Sequence, residues 1–324
     1  MTNASVQDLG VSDDLVGATP PPPSARMARR GSRRPAMRAS GLPWILPALV
    51  ISGGIIYFCI GYNGYVATLD WNGVSPNPQS VGLDNFARAL ADPIFWGTIQ
   101  HTALYFVVTF VVQTVLGILF AVLLHSKIRF AVLYKVVIFI PVVLAPAIMA
   151  PVFRIMFAGE GPVNELLQAI GLGFLAQPWL AQSSTALGVL MIMQVWQSTG
   201  ISFILYYSAM SQIDTEIIEA ARIDGAGNIR VIWSIIVPGI KGTVVALAML
   251  TAIASLKLFD IPYLVTLGGP NYATEFLGTY IYRQAVPLGD VGYAAALSVL
   301  LLILALAMAI ILSARNGDKK ERNS

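Results

Sequence analysis

Six long apolar segments, each with at most two charged residues, constrain this chain more than any other feature of its sequence. A helix crosses the hydrocarbon of a membrane with about 20 apolar residues, and it satisfies its own backbone hydrogen bonds there. The composition agrees, since 56% of the 324 residues are hydrophobic and 11% are charged. We therefore predict an all-α membrane protein with six transmembrane helices, over residues 42–62, 103–124, 136–157, 187–209, 243–265 and 291–313.

The basic residues predict the orientation of these helices, because Lys and Arg beside a span stay in the cytoplasm. Six arginines precede the first span, three basic residues including Lys127 join spans two and three, three join spans four and five, and four end the chain. These are 16 of the 20 Lys and Arg residues, and they fall on one side. Both termini of this multi-pass membrane protein are therefore predicted to be cytoplasmic.

The regions outside the spans are short. Residues 1–41 are rich in proline and arginine and too poor in apolar residues to fold alone, so we predict a disordered basic cytoplasmic tail. Residues 42–313 form the predicted six-helix domain, and residues 314–324 a second cytoplasmic tail. The net charge of +3 is explained by arginines beside a span, so no nucleic-acid partner is indicated. A single cysteine excludes a disulfide framework, and no metal-binding pattern is present.

The connection between spans four and five, residues 211–242, is the longest predicted cytoplasmic loop and has the pattern of two short helices. Asp214 can cap a helix that runs from Thr215 to Asp224, and Gly225 can end it in a left-handed conformation. Asn228 can cap a second helix, which we expect to end before Pro238 because proline lacks a backbone donor.

This loop resembles the EAA signature of bacterial ABC importer permeases, so we call residues 211–242 the EAA loop. Six of the seven motif positions match at fixed spacing, and only Val237 departs, where leucine is usual. The matching residues are Glu219, Ala220, Ala221, Gly225, Ile235 and Pro238. The resemblance implies that the loop docks onto a separate ATPase subunit, with Glu219 offering a carboxylate to a basic group. The alternative is an ordinary amphipathic surface helix. The residues assigned to ATPase coupling are Glu219, Ala220, Ala221, Asp224, Gly225, Ile235 and Pro238.

A second resemblance is to the carbohydrate-uptake branch of this family, similar to the permeases for maltose and glycerol 3-phosphate. It rests on Leu258–Asp260, on the run Val265–Pro270 and on Gly292–Ala296. It implies a sugar-type substrate, a second similar permease subunit, two ATPase subunits that hold ATP and Mg²⁺, and an extracytoplasmic solute-binding protein. This chain has no phosphate-binding loop and no catalytic constellation, so it is predicted to carry no cofactor and to be no enzyme.

Polar residues within spans four and five are candidates for the substrate path, because polar groups in lipid are costly and commonly face an interior cavity. Alignment on the family motifs places most of them where maltose-type relatives contact sugar, although Val142 and Pro146 differ from those relatives. The alternative is that they only make hydrogen bonds between helices. The candidates are Gln194, Trp196, Gln197, Ser198, Thr251, Ala254 and Ser255.

Three further features leave alternatives open. Lys257 and Asp260 are three apart and can pair on one helix face, either as a structural ion pair or in gating. Arg154, at the end of span three, is expected to extend to the membrane interface. The competing functional class is a secondary transporter or channel for a small polar solute, which needs several spans but no EAA helices.

Overall fold

A computed structural model describes residues 42–125 and 129–321. The predicted tail at residues 1–41, Lys127 and residues 322–324 lie outside the described residues. The chain divides into two units after Gly54, and the described residues of the first unit are helical. All contacts discussed below lie within the second unit.

The described residues are mainly helical, as predicted. Four helices are long and apolar enough to cross a membrane, and there are up to six spans if each of two bent helix pairs counts as one. The helices of more than one turn are α1 (Leu42–Val66), α2 (Asp84–Ala91), α3 (Pro93–His125), α4 (Ala131–Val143), α5 (Pro146–Met156), α6 (Pro162–Ala169), α7 (Ala186–Met210), α8 (Thr215–Ile223), α9 (Asn228–Val231), α11 (Lys241–Leu256), α12 (Asp260–Thr266), α13 (Leu277–Ala285) and α14 (Val291–Glu321), with the single turn α10 (Val237–Gly239) between α9 and α11.

The third predicted span is not one helix. It consists of α4 and α5, which meet at an angle of 97°. Ala145 has an extended backbone, with φ −66° and ψ 141°, because it precedes Pro146 and the proline ring disfavours helical geometry there. Leu144 is also extended, so the helix breaks over two residues.

The fifth predicted span is also interrupted. Helix α11 ends at Leu256 and α12 begins at Asp260, because Pro262 cannot donate to the carbonyl of Leu258 and cannot continue the first helix. Lys257 and Asp260 therefore do not share a helix face, and the predicted ion pair is wrong, since among the described residues no such pair forms. Helix α14 continues to Glu321, beyond the predicted start of the C-terminal tail.

The end of the bundle away from the EAA loop carries the small elements, and we call it the far end. It contains a two-stranded antiparallel hairpin, β1 (Leu69–Asp70) and β2 (Gln79–Ser80), which departs from the all-α prediction. It also contains α2, α6, a 3₁₀ turn at Gly173–Leu175, and α13. These segments connect the spans.

The buried apolar side chains form separate clusters along α3 and α7, which pack against each other. One cluster near the start of α7 includes Tyr105, Met149, Leu190 and Phe276. A second, near the EAA loop, includes Phe203, Tyr206, Val231 and Ile236. This second cluster anchors the EAA loop to the bundle.

Candidate functional site

Helix α8 of the EAA loop forms as the sequence predicts, with one difference in its cap. Asp214 occupies the N-cap position, but its side chain makes no capping hydrogen bond. The helix ends at Ile223, with Asp224 as the C-cap, and Gly225 follows with φ +81°. The predicted left-handed turn at Gly225 is therefore confirmed, whereas the predicted side-chain cap is wrong.

The second helix of the EAA loop differs from the prediction at both ends. Gly227, not Asn228, is the N-cap residue, and the helix does not stop before Pro238. A π-helical turn over Ile232–Ile236 precedes the proline, and the N–H of Val237 donates to the carbonyl of Ile232. This wider turn changes the register of the hydrogen bonds, so Pro238 is accommodated where an α-helix would break. The chain then bends by 68° into α11.

One face of α8 packs on the bundle and the other is open. Ile218 and Ala221 pack against the second apolar cluster. Glu219 and Ala220 are exposed, and among the described residues Glu219 has no ion-pair partner. Pro238 is exposed as well.

A cleft of about 180 Å³ lies between α8 and the helix that follows it. Ala221, Asp224 and Ile235 line this cleft together with Arg230 and Ser234. The structure thus brings three of the assigned coupling residues to one cleft, and the other four, Glu219, Ala220, Gly225 and Pro238, do not line it.

The polar residues of α7 are engaged in hydrogen bonds inside the protein. The Gln194 side chain donates to Ser198 Oγ over 2.8 Å, and the side chain of Gln113 on α3 donates to the Gln194 carbonyl over 3.3 Å. Gln197 donates to the carbonyl of Leu144 over 3.0 Å, at the break between α4 and α5. The contacts of Gln113 with Gln194 and of Gln197 with Leu144 match the alternative of bonds between helices, whereas the bond from Gln194 to Ser198 lies within α7. Gln197 supplies a partner for a carbonyl that the broken helix leaves free.

The remaining candidates of the substrate path differ in their surroundings. Trp196 is 44% exposed and lines an apolar groove of about 640 Å³ between α3, α4 and α7. On α11, Ser255 is 3% exposed and its hydroxyl donates to the Thr251 carbonyl over 2.8 Å, while Ala254 is exposed. Helices α7 and α11 are in contact. The predicted set therefore lies on two adjacent helices, with most of its polar groups already partnered.

Polar groups at the far end form a dense set of contacts. Arg88 of α2 lies 2.6 Å from Asp290, just before α14. The Asp92 carboxylate accepts hydrogen bonds from the hydroxyls of Tyr280, over 2.5 Å, and Tyr293, over 2.7 Å. Burial alone would raise the pKa of Asp92, but these two donors and the backbone N–H groups of Ile94 and Phe95 together outweigh burial and hold the pKa below its ordinary value of 3.8. Burial and the bond to Asp92 raise the pKa of Tyr280 to about 12.

Sequence reasoning missed several of these positions. Gln113 is an amide within an apolar segment, and the argument that selected Gln194 could have found it. No such signal marked Asn164, which is buried in the connection between α5 and α7. None marked the ion pair of Glu275 with Arg283 either, because the fold determines which residues these side chains contact.

Comparison with known proteins adds a family match and close overall similarity. Residues 113–317 match the family described as binding-protein-dependent transport system inner membrane component. The chain is 34% identical over 271 residues to a probable ABC transporter permease protein, YurN, of Bacillus subtilis, covering 83% of this chain and 92% of that one. It is 32% identical over 270 residues to the xylose/arabinose import permease protein XacH of Haloferax volcanii, covering 83% of both.

A solved structure has the same fold. It is a bacterial alginate ABC transporter in complex with an alginate pentasaccharide-bound periplasmic protein, and the match has a TM-score of 0.68. The sequence identity is 21%, and the match covers 85% of this chain and 95% of that chain.

Proposed function

The chain belongs to the family of binding-protein-dependent transport system inner membrane components, and from that premise we propose that it is the membrane subunit through which an ABC importer moves a sugar or sugar-like solute. Members of this family are permease subunits in the membrane, and ATP hydrolysis resides on a separate subunit. The chain is therefore a multi-pass membrane protein and not itself an enzyme. The proposal concerns its cargo, its partners and the residues that couple it to the ATPase.

The observation that carries the coupling proposal is the open face of α8. Glu219 and Ala220 are exposed beside a left-handed turn at Gly225, while the opposite face of the helix is anchored on the bundle. A small residue permits close approach of a partner, and a carboxylate offers a charge-assisted hydrogen bond. We propose that this face docks on the ATPase in the cytoplasm, and that ATP and Mg²⁺ bind to the two ATPase subunits.

The proposed topology counts each bent pair as one span, which gives six spans with both termini in the cytoplasm. A second, similar permease would complete the path, because one such subunit encloses only part of it. Closure of the ATPase subunits would move the docked helices, and the spans would switch between inward-facing and outward-facing states. An extracytoplasmic binding protein would deliver the solute, in agreement with the family description.

The sugar proposal rests on the substrates of similar transporters, which are xylose or arabinose for one and alginate for another. Within this chain, the proposed contacts are Gln194, Ser198 and Thr251, with Trp196 as an aromatic surface. Their present hydrogen bonds would have to exchange for bonds to sugar hydroxyls when the path opens. Gln197 is the least suited of the set, because its amide holds the break between α4 and α5.

The test uses the complete transporter in lipid nanodiscs and liposomes, with three variants. Glu219→Lys should lower ATPase association and ATP-dependent uptake by about tenfold or more. The reason is that the substitution replaces the carboxylate with a positive charge, which repels the basic group of the ATPase. Glu216→Lys is the matched control, since Glu216 is also exposed on α8, and should retain both. Gln194→Ala should lose uptake while the complex stays assembled.

The outcomes separate the two parts of the proposal. If Glu219→Lys binds the ATPase as the wild type does, the coupling assignment is wrong. If Gln194→Ala transports normally, Gln194 makes only structural hydrogen bonds and the sugar path lies elsewhere.

A further inference from the structure

The apolar groove of about 640 Å³ between α3, α4 and α7 is separate from most of the proposed sugar path. Of the proposed sugar contacts, only Trp196 lines it. The one hydroxyl group in its lining belongs to Thr199, and it donates to the Val195 carbonyl over 2.5 Å. Sugar hydroxyls need polar partners once water is removed. This groove therefore suits a hydrocarbon and not a sugar.

Glycines fix the walls of the groove. A Cβ at Gly200 of α7 would lie 2.7 Å from the Ile138 carbonyl oxygen of α4, and a Cβ at Gly117 of α3 would lie 3.1 Å from the Ser202 backbone of α7. Helices α3 and α4 therefore each approach α7 closely. Gly188 also lines the groove, but a Cβ there would meet nothing within 4 Å. The groove is thus a preformed space with room for a side chain at position 188.

The length of the groove fits a chain that enters from one side of the membrane. Along α3 it extends from Val108 to Phe120, which is about 18 Å at the helical rise of 1.5 Å per residue. The hydrocarbon core of a bilayer is about 30 Å thick. A helix of another subunit would cross this full thickness, whereas an acyl chain of one leaflet reaches only part of the way.

Basic and aromatic side chains lie beyond the groove, toward the EAA loop. Lys135 of α4 is one turn from the groove residue Ile138, and its Nζ lies 3.8 Å from the centre of the Tyr207 ring of α7. The ring of His125, the last residue of α3, lies 5.9 Å from the ring of Tyr207. Tyr207 packs against the second apolar cluster, which anchors the EAA loop. The three helices of the groove therefore bring an ammonium group and two rings together at its EAA-loop end.

The positive charge of Lys135 has no counter-charge within the described part of the chain. Lys135 forms no ion pair there, and the buried Nδ1 of His125 has no hydrogen-bond partner there. Tyr134, beside Lys135, is 51% exposed, and tyrosine is enriched where helices meet the membrane–water interface. A half-buried ammonium group at that level attracts the phosphate of an anionic lipid.

We propose that the groove and Lys135 form a binding site for an anionic phospholipid of the cytoplasmic leaflet, with an acyl chain in the groove and the phosphate at Lys135. Basic pockets between transmembrane helices on the cytoplasmic side bind such head groups. The inference rests on the proposed function, which places the EAA-loop end in the cytoplasm. A helix of the second permease fits less well, because the basic residues that flank a span on this side would meet Lys135 with a like charge.

The experiment uses the complete transporter in nanodiscs. The probes are phosphatidylglycerol and phosphatidylcholine that carry the same photoreactive acyl chain, and the crosslinked peptides are identified by mass spectrometry. Phosphatidylglycerol should label the groove segments of α3, α4 and α7 severalfold more than phosphatidylcholine does. Excess inorganic phosphate should not reduce this labelling, because a free anion has no chain to occupy the groove.

Two substitutions of Lys135 test the head-group contact. Lys135→Gln should lower the preference for phosphatidylglycerol by about fivefold, which is the factor expected from one basic residue at an anionic surface. Lys135→Arg keeps the charge and should keep the preference.

Two glycine substitutions test the chain contact. Gly188→Leu should lower groove labelling by both lipids by about tenfold, because its side chain takes the place of methylene groups of the lipid. Its thermal stability should not fall, since leucine has the higher helix propensity and meets no neighbouring atom at its Cβ. Gly97→Leu is the matched control, because a Cβ at Gly97 of α3 also meets nothing within 4 Å and Gly97 does not line the groove. Its labelling should equal that of the wild type.

The lipid site is overturned if the two probes label the groove of the wild type equally, or if Gly188→Leu labels as the wild type does. It is also overturned if a photo-crosslinker at position 137, within the groove, captures the second permease and no lipid. The sugar proposal fails separately. Groove labelling in a transporter that takes up no sugar would contradict that proposal and support the lipid site, whereas uptake without groove labelling would overturn the lipid site alone.

Discussion

The two ends of this molecule are built in opposite ways. Both ion pairs found among the described residues lie at the far end, where Arg88 pairs with Asp290 and Arg283 with Glu275. In the EAA loop, the described charged side chains form none. Part of the charge at the far end is thus held in internal ion pairs, whereas the described charged side chains of the EAA loop form no ion pair within the chain.

Two asparagines show the same contrast. Asn164, in the far-end connection, is 1% exposed and its amide donates to three backbone carbonyls and accepts from Trp179 Nε1 over 2.8 Å. Asn228, in the EAA loop, is exposed at the first position of its helix. The difference teaches that Asn164 is held by contacts within the protein, and that Asn228 lies on a surface that the proposed ATPase partner would cover.

The largest expected effect comes from two glycines with almost the same φ, Gly268 at the far end with 80° and Gly225 in the EAA loop with 81°. A Cβ at Gly268 would overlap the Glu275 carboxylate and lie 2.9 Å from Arg283 Nη2, whereas a Cβ at Gly225 would meet nothing within 4 Å. Gly268→Ala should therefore cost about 3 kcal/mol or more, from strain and overpacking together. Gly225→Ala should cost about 1–2 kcal/mol from strain alone.

Thermal unfolding of the purified chain in detergent measures this difference. We expect the midpoint to fall by roughly 6–12 °C for Gly268→Ala and by roughly 2–8 °C for Gly225→Ala. Equal shifts would show that packing at the far end is as open as in the EAA loop, and the contrast between the two ends would fail.

A smaller effect concerns the pH dependence of the far end. Because the folded pKa of Asp92 lies below 3.8, its contribution to stability is complete above the unfolded pKa and is lost as the pH falls through the folded value. Tyr280 has the opposite sign, since its pKa is raised from 10.0 to about 12, so its contribution is lost as the pH rises across that window.

Tyr280→Phe removes one donor to Asp92 and tests this account. It should cost about 1 kcal/mol at neutral pH and move the acid loss of stability to higher pH. The measurement is the unfolding midpoint as a function of pH for the wild type and the variant. Identical curves would mean that the hydrogen bond from Tyr280 contributes nothing to the far end.

The sequence predicted the parts of the fold that depend on local composition. Long apolar runs gave the spanning helices, and Gly225 gave the turn after α8, because both follow from the chain's own propensities. The breaks around Leu144 and Lys257 were missed, although prolines stood close by. A proline in a membrane helix can be tolerated or can break it, and the neighbouring helices decide which.

The candidate site was predicted in part for the same reason. Motif spacing placed Ala221, Asp224 and Ile235 around one cleft and left Glu219 and Ala220 exposed. The π-helical turn before Pro238 depends on how the helix packs, whereas the sequence predicted that the helix would end before Pro238. Gln197 was assigned to the substrate path from its residue type. Its contact with Leu144 exists only because α4 breaks where α7 passes, which is information that the sequence of α7 does not contain.

The smallest expected effect on stability is at Ile223 of the EAA loop, and it tests the contrast most directly. Ile223 is 86% exposed, and Val74 in the far-end hairpin loop is 87% exposed, so neither contributes much to folding. Ile223→Ser and Val74→Ser should each change the free energy of unfolding by less than about 0.5 kcal/mol.

If the ATPase covers the EAA loop, Ile223→Ser should nevertheless weaken ATPase association by about tenfold, because a partner that buries this side chain gains about 1.5–3 kcal/mol. Val74→Ser should leave that affinity unchanged. An ATPase affinity that is equally insensitive to both substitutions would mean that the exposed apolar side chain of the EAA loop faces solvent or lipid in the assembled transporter, and docking would then rest on Glu219 and the alanines alone.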